Sequence, residues 1–267
     1  ALFNAARYVC QWDPTFAAYL EKKQCEGKHY YVALSHVVKK LVRVIFHLLK
    51  TNQEYKNAAL AALKGKWAPA VICAVVYAVI ACAISLGTEL VDANSAAGVL
   101  MTASLSTMLL SLLVVSPLGV GYYNVHKDLL LNGDDKLTEN SFKIGFSNWA
   151  HNVWGMFLMG LFVFLWTLLL IIPGIVKALA YSLVPYILVD KPELSANEAI
   201  NLSKAMMKGH KFDFFWLSLS FIGWILLSIL TVGIGLFWLM PYMYTTYAAF
   251  YQDVKAEYEA KTNTINN

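Results

Sequence analysis

Between Asp213 and Asp253 the chain runs for thirty-nine residues without a Lys, Arg, Asp, Glu or His. As one helix that block would be about 58 Å long at ~1.5 Å per residue, twice the roughly 30 Å of a bilayer core. It therefore reads as two spans folded back on each other, 214–231 and 234–252. The reversal falls at Thr231-Val232-Gly233-Ile234-Gly235, where two glycines supply permissive backbone. A large soluble core is the competing reading, and it fails on charge. Only 14% of the residues are charged and 58% are hydrophobic, against about 25% charged in soluble domains. Mean hydropathy is +0.53. The fold class is all-α, a polytopic membrane helix bundle.

The same arithmetic upstream completes six spans in three hairpins. A charge-free run over 67–88 gives the first span, with Pro69 in its first turn, where a missing N–H costs nothing. An acidic, small-residue loop over 87–98 leads to a second span, 99–125, with a kink expected at Ser116-Pro117-Leu118-Gly119-Val120-Gly121. The polar connector turns at Asn132-Gly133-Asp134. It lacks the D-x-[DN]-x-[DN]-G spacing and distal Glu of a calcium loop. Phe142, Phe146, Trp149 and Val153 follow at helical spacing, an aromatic stripe that fits an amphipathic juxtamembrane helix. The third span is 154–172 and Pro173-Gly174 signals a hairpin. The fourth, 174–189, holds Pro185 and Lys177, whose ammonium near the hairpin tip is expected to snorkel to the headgroups. Ser195 and Glu198 then have the spacing of a capping box that opens a polar helix. Residues 256–267 form a polar tail, expected to be disordered at its end.

Residues 1–57 have a different character, with no run long enough to span. Helices are expected over 1–11, from Asp13-Pro14 to Gly27, and over 30–50. Asp13 is placed to cap the second and Pro14 to fill its first turn. In the third, Val37, Leu41, Ile45, Leu48 and Leu49 share a face, with Lys39, Lys40, Arg43 and Lys50 largely off it. ALFNAARYV has no basic n-region, so no cleavable signal peptide is expected, and the absence of Met points to a trimmed start. Cys10, Cys25, Cys73 and Cys82 form no C-x-x-C pair, which implies neither a disulfide framework nor a zinc site.

Orientation follows from where the cations fall. Of the 21 Lys and Arg, eleven precede the first span. Lys127, Lys136 and Lys143 follow the second, Lys191, Lys204, Lys208 and Lys211 the fourth, and Lys255 and Lys261 the sixth. Only Lys177 is left for the other side. The positive-inside rule then sets both termini in the cytoplasm and requires the fourth span to cross. The approaches LKGKW (63–67), FSNWAHNVW (146–154) and MKGHKF (207–212) look related. So do the returning ends, Pro117…Tyr122-Tyr123…Asp128, Pro185-Tyr186…Asp190 and Pro241-Tyr242…Tyr247…Asp253. Three related hairpins are implied. Each proline frees a backbone carbonyl that a neighbouring helix must satisfy, and the tyrosines suit the membrane interface.

Two resemblances add to this reading. ARYVCQWDPTFAAYLEKKQCEGKHYYVALSHVVKKLVRVIFHLLKTNQEY resembles the C-terminal end of insertion-sequence transposases with a DEDD-type nuclease domain. That family's acidic nuclease residues and catalytic serine lie upstream of the matching part. The resemblance therefore implies a fused remnant without transposase chemistry. Residues 58–255, through ALAALKGKW and the long stretch from Pro173 to Asp253, resemble the bacterial integral-membrane domain-of-unknown-function family nine-seven-five. That likeness implies a multi-pass cytoplasmic-membrane protein and brings no activity, ligand or catalytic residue.

No enzyme motif is present: no HExxH, Walker loop or GxSxG, and no ligand spacing among the six histidines. The expected spans hold no Asp, Glu or Arg, which argues against an ion-coupled pump. Catalytic, cofactor and metal residues are therefore expected to be none. The leading expectation is a non-enzymatic membrane or envelope component. Its partners are the lipid bilayer and a membrane protein or second copy, with nucleic acid not expected. A transporter or channel for a neutral or lipidic solute is the alternative, and it would want a polar mid-membrane cavity lined by Ser106, Thr107, Ser111, Thr167, Ser218 and Ser228. Nucleic-acid binding by residues 1–55 is the second alternative.

Overall fold

A computed structural model describes residues 2–93 and 108–266, with side chains for 2–84 and 108–264. The helices are α1 (Leu2–Trp12), α2 (Pro14–Cys25), α3 (Tyr30–Leu63), α4 (Trp67–Ala93), α5 (Met108–Asn132), α6 (Leu137–Ser147) and α7 (Trp149–Leu169). They continue with α8 (Ile171–Tyr181), α9 (Val184–Asp190), α10 (Ala196–Met206), α11 (Lys211–Leu219), α12 (Ile222–Leu230) and α13 (Leu236–Asn266). No strand occurs among the described residues. The contacts divide the chain into two units, 1–54 and 55–267. The helix expected over 30–50 runs on to Leu63 as α3, because nothing between Lys50 and Leu63 breaks it.

In the first unit Asp13 caps α2 as anticipated. Its carboxylate accepts from the Thr15 N–H at 2.7 Å and the Phe16 N–H at 3.4 Å. Ala6, Phe16, Leu34 and Val37 close a small core. Lys40 of the basic helix lies 4.5 Å from the Tyr19 ring and 5.2 Å from the Phe16 ring, a cation–π use of its charge within the unit.

Among the described residues of the second unit five stretches are long and apolar enough to cross a membrane: Trp67–Ile84, Met108–Asn132, Trp149–Leu169, Ile171–Asp190 and Lys211–Leu230. They correspond to the first five expected spans with shifted ends. The expected sixth, 234–252, is the first part of α13 and is not among the five. Tyr242, Tyr244, Thr245, Thr246 and Tyr247 make it less apolar, and Thr245, Thr246, Ala248 and Phe250 are buried by its neighbours. The helix then runs on through the polar tail, which the sequence reading expected to end in disorder. The acidic loop expected over 87–98 is instead helical in its first half, α4 running on to Ala93 because nothing between Gly87 and Ala93 stops it, and its remainder lies outside the described residues with the first residues of span two.

Local deviations have local causes. The kink expected at 116–121 is instead a π-helical turn one step earlier, Ser111–Val115. Pro117 has no N–H to give the Leu113 carbonyl, and Trp149 Nε1–H donates to it at 2.7 Å. The hairpin after α7 breaks at Leu170, which is extended, so Pro173-Gly174 sits in the first turn of α8 rather than at the tip. Between α8 and α9 the helix breaks at Ser182-Leu183 ahead of Pro185, and Ser203 Oγ–H donates to the freed Ala180 carbonyl at 2.8 Å. The reversal at 231–235 falls where expected, with φ +54° at Val232 and +84° at Gly233.

Three close approaches hold the bundle. A Cβ on Gly121 of α5 would lie 1.9 Å from the Ser141 carbonyl oxygen of α6, and one on Gly145 would lie 2.4 Å from that of Pro117. These helices touch backbone to backbone, the small-residue packing typical of membrane helices. Gly174 meets Thr167, and Gly235 meets Ser228, first at the side-chain hydroxyl and then at the backbone Cα. In both hairpins the glycine follows its hydroxyl partner by seven residues.

Candidate functional site

The three proline–tyrosine ends converge. Tyr122 and Tyr123 from α5, Tyr186 from α9 and Tyr244, Tyr247 and Tyr251 from α13 form one aromatic cluster, joined by Tyr77 of α4. Ring centroids lie 4.7 Å apart for Tyr123–Tyr244 and for Tyr186–Tyr251, 4.9 Å for Tyr122–Tyr244, 5.1 Å for Tyr77–Tyr122 and 5.6 Å for Tyr123–Tyr186. Edge-to-face and offset stacked geometries of this kind each add to area burial. Tyrosines expected at the membrane interface are therefore interior. Tyr122, Tyr186 and Tyr251 are each 1% exposed.

Polar groups tie the same helices. Asn124 Nδ2 donates to the Val120 carbonyl at 2.9 Å and across to the Pro185 carbonyl at 2.8 Å. His126 Nδ1–H donates to the Tyr122 carbonyl at 2.7 Å. Since a carbonyl only accepts, Nδ1 carries the proton of this bond. Tyr122 Oη, Tyr186 Oη, Asn124 Oδ1 and His126 Nε2 are buried without a partner among the described residues.

Asp190 closes the arrangement. One oxygen pairs with Lys127 of α5, and the other accepts from Lys255 Nζ at 2.6 Å and Tyr251 Oη at 2.8 Å, both on α13. The Lys127 and Asp190 side chains are 7% and 12% exposed, so this carboxylate joins three helices in a poorly hydrated place. Such a pair is strongly destabilising to break by removing one partner.

The other residues singled out by the sequence are dispersed. Asp253 accepts from Tyr55 Oη at 2.6 Å. Lys177 lies 4.4 Å from the centroid of the Trp166 ring, a cation–π contact. The hydroxyls proposed to line a polar cavity bond within their own helices, and Ser218 also borders the cavity described below. Thr167 donates to the Val163 carbonyl, Ser218 to that of Phe214 and Ser228 to that of Trp224, at 2.8, 2.9 and 2.8 Å. Ser111 lies in the π-helical turn, while Ser106 and Thr107 fall outside the described residues. What does open between α7, α8, α11 and α13 is a mainly apolar cavity of about 520 Å³. Met156, Met159, Val163 and Phe214 line it together with Tyr186 and Tyr247, and no charged residue does.

Lys127, Asn124, Tyr244 and Lys255 were not identified as site residues from sequence. Asn124 carried a usable signal, a lone amide in an uncharged run that must find partners. Lys127 and Asp190 fell outside spans expected to stop at 125 and 189, yet both lie in the apolar helical stretches as observed.

No curated protein and no solved structure matches the chain. The profile of one family, described as protein of unknown function (DUF975), matches residues 99–258. The matched stretch contains α9, the polar network, and the α5 and α13 residues that build it, while ALAALKGKW lies before it. Because the match spans more than half of the sequence, the chain belongs to the DUF975 family.

Proposed function

We propose that this is a six-span protein of the cytoplasmic membrane, with both termini in the cytoplasm, that works as a non-enzymatic membrane component. The observation that carries the reading is Asp190, held by Lys127, Lys255 and Tyr251 where three helices meet. A tight network of this kind favours one fixed arrangement over a moving carrier. Thr167, Ser218 and Ser228, each bonded within its own helix, support the same view. In this reading α13 is the sixth span, shielded from lipid by its neighbours and thus tolerant of tyrosine. For residues 1–54 we propose a fused remnant; Lys40, engaged with Phe16 and Tyr19, supports a self-contained unit over a nucleic-acid surface.

The uncharged cavity of about 520 Å³ favours a second reading, a transporter of a neutral or lipidic solute. Its volume is within the roughly 300–1,000 Å³ range of ligand sites. Flux assays in proteoliposomes separate the two. A non-transporting component leaves the leak of small neutral solutes and the flip rate of a labelled lipid at the values of empty vesicles. Acceleration that is lost in Tyr186→Phe would instead establish the second reading. Deletion of residues 1–54 is expected to leave membrane insertion intact, and loss of insertion would refute the remnant assignment.

A further inference from the structure

A second cavity, about 230 Å³, lies where α9 ends and the last turns of α13 pass α10. Its floor is apolar, with Ile187, Leu202 and Met206. Lys191, Lys255 and Tyr258 supply donors around it, and Glu259 is the one carboxylate among the lining residues. Lys191 pairs with no carboxylate among the described residues, and Lys255 shares Asp190 with Lys127. An ammonium group has three donors, so Lys255 retains two for another acceptor. The lining thus combines an excess of positive charge with an apolar base at the end of the Ile171–Asp190 stretch.

We propose that this cavity binds the phosphate of an anionic phospholipid headgroup, with Lys191 and Lys255 donating to its oxygens and the lipid's glycerol end resting on Ile187, Leu202 and Met206. Placing it in the cytoplasmic leaflet rests on the orientation proposed above; the site's chemistry does not. Anionic lipids of that leaflet are drawn to basic groups at span ends. Inorganic phosphate carries the same oxygens without the apolar portion, so the lipid gains contacts that the free ion lacks.

The test is native mass spectrometry of the full chain in detergent, offered equal amounts of phosphatidylglycerol and phosphatidylcholine. One phosphatidylglycerol is expected to be retained in preference, and millimolar inorganic phosphate is expected not to displace it. Lys191→Gln removes a charge-assisted bond without touching the Asp190 network, and should weaken retention about tenfold. Glu259→Gln should strengthen it, and Lys208→Gln, outside the cavity, should not change it. Equal retention of the two lipids, displacement by inorganic phosphate, or an unaffected Lys191→Gln would each overturn the proposal. Side-specific labelling tests the orientation independently, so the two can fail separately.

Discussion

Gly121→Ala isolates the contact on which the α5–α6 pairing depends. An added methyl would sit 1.9 Å from the Ser141 carbonyl oxygen, 2.9 Å from its carbon and 3.0 Å from the Gly145 nitrogen. All three are backbone atoms, so no side chain can swing away, and α6 must retreat by about 1 Å or more to reach ordinary contact. Overpacking of this kind costs ~1–3 kcal/mol, with rigid backbone at the upper end. Alanine returns about 1 kcal/mol of helix propensity. The net is a loss of about 2 kcal/mol, or roughly 4–8 °C in Tm at this size. Gly160→Ala is the matched control: it is also helical, but nothing lies within 4 Å of the new atom. It should leave Tm unchanged or raise it slightly. Both are read by thermal melts of the detergent-purified protein, followed by tryptophan fluorescence. Equal melting of the two variants would refute the backbone-contact argument.

Asp190→Asn keeps the shape but strands Lys127 and Lys255, and should cost about 3 kcal/mol, the scale for breaking a buried pair; adding Lys127→Gln should recover part of it in the same melts. Trp149→Phe leaves the Leu113 carbonyl without its donor and should cost ~1–2 kcal/mol, whereas Trp149→His, which retains a ring N–H, should cost less. The Glu257 carboxyl is held below the usual carboxylate range, first by its bond from Lys261 and then by the nearby His210. A depressed folded value means that this contribution is present above the carboxylate's unfolded pKa and is lost as pH falls through the folded one. Acid titration should therefore loosen the end of α13, measured as faster amide exchange there, and Glu257→Gln should flatten that response.

Where the sequence was readable, the chemistry was local. Asp13, the Ser195–Glu198 capping box and the turn at Gly233 each act within a few residues, so spacing alone located them. The uncharged runs located the five apolar helices for the same reason. Pro117 and Pro185 marked local deviations, a π-helical turn and a helix break, whereas Pro241 lies inside α13, and none of them showed what its surroundings meet. That Asn124 reaches the Pro185 carbonyl, or that Trp149 replaces the N–H missing at Pro117, depends on helices far apart in sequence. Tyrosine beside proline reads as an interface anchor, and only packing reveals it as interior. The paired seven-residue spacings, Thr167 to Gly174 and Ser228 to Gly235, are legible in sequence as a repeat of the hairpin tip, because each contact is local.

The central claim, six crossings with the basic connectors on one side, is tested most directly by side-specific thiol labelling in intact cells. In a background without Cys10, Cys25, Cys73 and Cys82, single cysteines replace Val232, at the exposed reversal before α13, and Gly209, in the basic connector before α11. The account predicts that an impermeant maleimide added outside modifies Val232→Cys at once and Gly209→Cys only after lysis. Labelling of Gly209→Cys in unbroken cells, or protection of Val232→Cys, would contradict it.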